Sequence, residues 1–131
     1  MTPELPDGRD APPADLPVTD PAALDRLKRF GGDKLLGEMI TLFLAAAPER
    51  IAAARTGTQG GDAPATELAL HSLKSSSAQL GAMRMQRICE QGEQLARVGD
   101  LAIIGSLVQE LEEEFVRVNA WLTSIRDGGH A

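Results

Sequence analysis

The chain is predicted to be all-α: an antiparallel up-down-up-down four-helix bundle with a short N-terminal helix laid across it. The last third carries Leu101, Ile104, Val108, Leu111, Phe115, Val118, Leu122 and Ile125, apolar positions that alternate steps of three and four without a break. That is the period of one buried helical face, and it needs partners along its whole length. Nowhere do apolar and polar residues alternate one by one, as a half-buried strand requires. The amphipathic segments are joined by short glycine-containing connections, which favour antiparallel neighbours.

The elements follow in order. Residues 1–19 hold Pro3, Pro6, Pro12, Pro13 and Pro17 among Asp, Glu and Gly, too polar to pack, and read as a flexible leader or linker. Thr19 or Asp20 before Pro21 supplies a cap and first helical position. The short helix there runs through Leu24, Leu27 and Phe30 and is ended by Gly31-Gly32. Asp33 caps a second helix over residues 34–55, with Leu36, Met39, Ile40, Phe43 and Ile51 inward. Pro48 within it removes a hydrogen bond to Leu44 and predicts a kink. Residues 56–62, rich in Gly and Thr, end it. A third helix over 63–80 is closed by Gly81. A fourth over 83–98 buries Met85, Ile88, Gly92 and Leu95, and Gly99-Asp100 lead into the fifth. The bundle proper is thus expected over 20–127, with 128–131 a flexible tail.

Composition narrows the function. At 131 residues there is room for one core but not for an additional ATP-binding catalytic domain. A net charge of −6 and an isoelectric point near 4.8, without clustered Lys and Arg, argue against nucleic acid. The most apolar run, residues 35–47, contains Glu38 and is too short to span a bilayer, and no signal-like leader precedes it. A cytoplasmic protein without membrane partners is expected. Cys89, alone, has neither a disulfide nor a zinc partner and is assigned to core packing. The long stripe of the fifth helix has a rival reading as a dimeric coiled-coil seam. Its outer residues Glu110, Glu112, Glu113 and Glu114 would repel a parallel copy, so a monomer with a solvated acidic face is expected.

The chemistry concentrates in the third helix. Leu70, Leu73, Ser77 and Leu80 form its inner row, and at about 100° per residue His71 projects roughly 150° from the centre of that row. Its outer neighbours Ser75 and Ala78 are small where an ordinary solvated face carries long charged chains. Lys74, one turn on, could balance an anion on the imidazole. If the third and fourth helices turn near Ala82, residues equally far from the turn share a height: His71 with Glu93, Lys74 with Glu90, Glu67 with Arg97. Gly31-Gly32, Gly60-Gly61 and Gly128-Gly129 lack the Gly-Lys-Ser/Thr of a phosphate loop and punctuate helices instead. A metal-binding bundle would need inward Glu-x-x-His pairs, which an outward His71 and a His130 in the tail do not supply.

His71, Lys74, Ser76, Ser77, Leu80, Gly81 and Ala82 resemble the signature of the histidine-containing phosphotransfer (HPt) family, His-x-x-Lys-Gly-small-small followed by Leu-Gly-Ala. The resemblance extends from about Leu24 through Phe30-Gly31-Gly32-Asp33, Leu42-Phe43-Leu44 and Pro48-Glu49-Arg50; Ser75 stands where the family usually has glycine. It implies a phosphoryl carrier with no kinase domain and no cofactor of its own. The phosphoryl group would pass between receiver-domain aspartates through Nε2 of His71. The receivers would belong to a hybrid sensor kinase, a response regulator or both, and would bring the Mg2+. It also implies that Glu93 hydrogen-bonds the imidazole, that Lys74 balances phosphoryl charge, and that Leu70, Ser75, Ala78 and Gln79 form the docking face. A module that docks receivers without carrying phosphate is the alternative that Ser75 leaves open.

Overall fold

Asp20 is extended, and its carboxylate accepts the Ala22 N–H at 3.1 Å, so that Pro21 can begin a helix without a missing donor. From there the computed structural model, which describes residues 19–128, builds α1 (Pro21–Gln59), α2 (Ala63–Gln79), α3 (Met83–Arg97) and α4 (Leu101–Arg126). There is no strand among the described residues. The expectations for the leader up to residue 18, and for the tail with His130, lie outside them.

The break expected at Gly31-Gly32 falls at Gly32, whose φ of 74° and ψ of −172° interrupt α1. α1 is therefore two helical stretches joined across a kink, and this glycine rather than Pro48 carries the non-helical backbone. Phe30 corrects the sequence reading: it is 87% exposed. Six residues on from Leu24 it is turned by about 120° around the helix, so Ala23, Leu24 and Leu27 seat the segment without it. α1 also runs past the expected end at residue 55. α1 continues to Gln59, and Gly57 is buried against the start of α2, where a Cβ would meet Thr66 Oγ1 at 2.5 Å.

α1 packs on α2 and α4, and α3 packs on the same two helices. The core between them holds Leu36, Ile40, Phe43 and Ile51 from α1 and Leu70 and Leu73 from α2. Met85, Ile88 and Cys89 come from α3, and Ile104, Val108, Leu111, Val118 and Leu122 from α4. Leu95, Leu101, Phe115 and Ile125 are only partly buried at its margin. The α2–α3 turn is tied to the start of α1. Gly81 takes a φ of 74°, its carbonyl accepts the Asp20 N–H at 2.7 Å, and a Cβ there would lie 2.4 Å from Asp20 O. No helix among the described residues is long and apolar enough to cross a membrane.

The acidic block of α4 is not a uniform solvated face. Glu114 is fully buried, because it falls three residues after Leu111 and four before Val118 in the inner row. It accepts from Arg117 Nη2 at 2.8 Å and lies 3.6 Å from Arg84 Nη1 on α3. Such pairing is what makes a buried carboxylate tolerable. Glu112 pairs with Arg55 of α1, while Glu110 and Glu113 are exposed.

Candidate functional site

Asp62 caps α2 by accepting the Ala65 N–H at 3.1 Å. The helix then buries Thr66, Ala69, Leu70, Leu73 and Ser77, and this row sets the rotation that leaves the His71 side chain 57% exposed. α3 lies close alongside because Gly92 has no side chain: a Cβ there would be 2.7 Å from Leu70 Cδ1. The residue after that glycine, Glu93, is only 3% exposed and is turned toward α2.

Three cations or donors meet on that carboxylate. His71 Nδ1 lies 2.8 Å from Oε2, Lys74 Nζ 2.7 Å from Oε1, and Arg97 Nη2 donates to Oε2 at 3.0 Å. Burial by itself would raise the Glu93 pKa. The hydrogen bonds and charges of Lys74 and His71 outweigh it and hold the carboxyl below its ordinary value. An ionised carboxylate only accepts, so Nδ1 carries the proton and donates, which leaves Nε2 across the ring with its lone pair. The group is therefore a fixed-tautomer imidazole, accessible to solvent, with a nucleophilic nitrogen away from its anchor.

The sequence expectations are placed as follows. His71 and Glu93 meet at one height, and so do Glu67 and Arg97, joined at 2.9 Å. Lys74 reaches Glu93 and not Glu90, which lies 3.8 Å from Arg87. Glu93 lies deep in the α2–α3 seam, where it is the stronger acceptor for an ammonium. Ser75 and Gln79 are exposed and Ala78 partly so, whereas Leu70 is 2% exposed and cannot dock anything. Its place in the inner row of α2 decides that. Ser76 folds its hydroxyl onto the Ser72 carbonyl at 2.9 Å. Cys89, one turn before Glu93, is fully buried, and its thiol is pushed up to about 12, by burial first and then by the Glu93 charge. Two features escaped the sequence reading. The bond from Arg97 to Glu93 was signalled by their spacing of four on one helix. Leu68, 70% exposed, lines a groove with Pro64, Glu67, His71, Glu93 and Arg97, and it fits no periodic pattern that would have marked it.

An exposed histidine held by a buried acid on the neighbouring helix of an all-helical bundle is the arrangement of a phosphohistidine carrier, and the chain belongs to the Hpt domain family, whose profile matches residues 38–121. Among solved structures it is similar to the crystal structure of histidine-containing phosphotransfer protein B (HptB) from Pseudomonas aeruginosa PAO1. The TM-score is 0.82 and the identity 27%, over 88% of this chain and 99% of that one. No curated protein matches in the sequence comparison. Hpt proteins are phosphocarriers rather than kinases, and in two-component phosphorelays they interact with receiver domains.

Proposed function

We propose that this protein relays a phosphoryl group between receiver-domain aspartates through Nε2 of His71. The observation that carries the reading is the 2.8 Å contact of Nδ1 with the buried Glu93, which dictates the tautomer with a free Nε2 lone pair. In the forward step that lone pair forms the N–P bond, the O–P bond of the receiver's aspartyl phosphate breaks, and the electron pair leaves on the aspartate carboxylate. Onward transfer reverses this at a second receiver, with Nδ1 keeping its proton throughout. Lys74 steadies the carboxylate that holds the ring, at 2.7 Å from its Oε1, and its charge offsets that on the transferred group. The receiver brings the Mg2+ and most of the electrostatic catalysis; this chain contributes a rigid, exposed nucleophile.

The protein acts as a cytoplasmic monomer, its helices follow an up-down-up-down course, and the segment before Gly32 lies across the bundle. Packing of consecutive helices on one another, with α4 closing the ring against α1, supports that course. Receivers dock over Ser75, Ala78 and Gln79 beside the histidine. Ser75, exposed at the position next to Lys74, favours a second reading, in which its hydroxymethyl group obstructs transfer and the module docks receivers without accepting phosphate. Incubation with a phosphorylated receiver separates the two. Transfer to the wild type and none to His71→Gln supports the relay; receiver binding with no transfer to either supports the docking module.

A further inference from the structure

Glu67 and Arg97 have no part in the transfer chemistry above, yet they close on its centre. Arg97 donates from Nε to Glu67 Oε2 at 2.9 Å and from Nη2 to Glu93 Oε2 at 3.0 Å. The latter oxygen is the one facing His71 Nδ1, while Lys74 holds Oε1 from the other side. The last torsion of a glutamate is broad and roughly two-fold. Here it is pinned at both oxygens. Without the guanidinium, the carboxylate is free to turn both oxygens toward Lys74 and give up its bond to the ring.

The pair is also well placed to report on the seam. Glu67 is one turn before His71 on α2 and Arg97 one turn after Glu93 on α3, so their contact bridges the two helices that the reaction needs in register. The Arg97 side chain is 58% exposed, and an ion pair at that exposure contributes little to folding. Its consequence is geometric. The charged or titratable groups around Glu93 are His71, Lys74 and Glu67 from α2, with Arg97 and the Cys89 thiol from its own helix.

We propose that the Glu67–Arg97 pair is a positioning device for phosphotransfer, holding the Glu93 carboxylate against Nδ1 of His71 so that Nε2 stays the nucleophilic nitrogen. This rests on the reading of His71 as the phosphoryl carrier. Two measurements test it, both in a His130→Gln background so that the ring observed is that of His71. 15N NMR of the unphosphorylated protein reads the tautomer of the neutral imidazole, and transfer from a phosphorylated receiver gives the saturating rate and KM.

Arg97→Gln is expected to lower the Nδ1–H fraction and to slow the saturating rate by about threefold to tenfold with KM unchanged. Arg97→Lys recovers part of both, and Glu67→Gln falls between wild type and Arg97→Gln. Wild-type tautomer and rate in Arg97→Gln and Glu67→Gln would overturn the proposal, as would a change confined to KM, which marks docking residues. Should Arg97→Gln lose helicity, the isosteric change Glu67→Gln decides by the same readings. If the wild type accepts no phosphoryl group at all, the carrier reading fails, and the NMR tautomer still decides whether the pair positions the ring.

Discussion

Lys74 and Glu93 form one charge system with His71, and their burial separates their roles. The Lys74 side chain is 29% exposed and that of Glu93 4%. Lys74→Ala is therefore expected to slow phosphotransfer by about tenfold, the loss of one charge-assisted contact of roughly 1.5–3 kcal/mol. Its melting temperature should move little. Stopped transfer to a receiver, alongside thermal melts, checks both halves. Glu93 is buried and its ionised form is favoured by its partners, so it also stabilises the fold, and pH reveals this. Its folded pKa is lowered from an ordinary 4.5, so its contribution is fully present above that value and is lost as pH falls through the lowered one. Urea unfolding of wild type and Glu93→Gln across this acid range should give stabilities that differ most above 4.5 and converge below it. Parallel pH profiles would show that the ionised carboxylate adds nothing to folding.

At the scale of elements, the stripes with the fullest three-and-four spacing were legible and the exceptions were local. The inner row of α2, Leu70, Leu73, Ser77 and Leu80, is buried as its spacing requires, and that row aims His71 outward. Glu114 was misread because a charged residue at an inner position looks the same as one on a solvated face until Arg84 and Arg117 are seen beside it. Lys74 was matched to Glu90 by counting from the turn; counting gives heights along a helix but not the depth that makes Glu93 the better acceptor. Phe30 was counted inward on a segment too short to define a face. Gly81 was read correctly as a helix stop, but its second duty was invisible in the sequence, since it depends on Asp20, far away in the chain. Gly81→Ala forces a side chain into a φ of 74° and to within 2.4 Å of Asp20 O. It should cost about 2 kcal/mol or more. Chemical denaturation measures this, and a cost below about 0.5 kcal/mol, the scatter of neutral surface changes, would show that the α1–α2 stitch carries no load.

For the whole molecule, the proposed function makes the bundle a scaffold that presents Nε2 of His71. Four helices around a shared core hold α2 and α3 side by side, Gly92 draws them close enough for a buried acid to reach the histidine, and the rest of that ring faces outward. The shared height of His71 and Glu93 could be read from sequence because a hairpin gives pairs of equal height, while the bond between them was implied only by the family resemblance; the convergence of Lys74 and Arg97 on one carboxylate could not be read, since it needs side-chain rotamers. The central claim is that His71 alone carries the phosphoryl group. The direct measurement is to charge the full chain with a phosphorylated receiver and map the acid-labile phosphate by peptide analysis, with His71→Gln in parallel. The account predicts label on the peptide containing His71 and none in the variant; label that persists in His71→Gln, or that maps to His130, would contradict it.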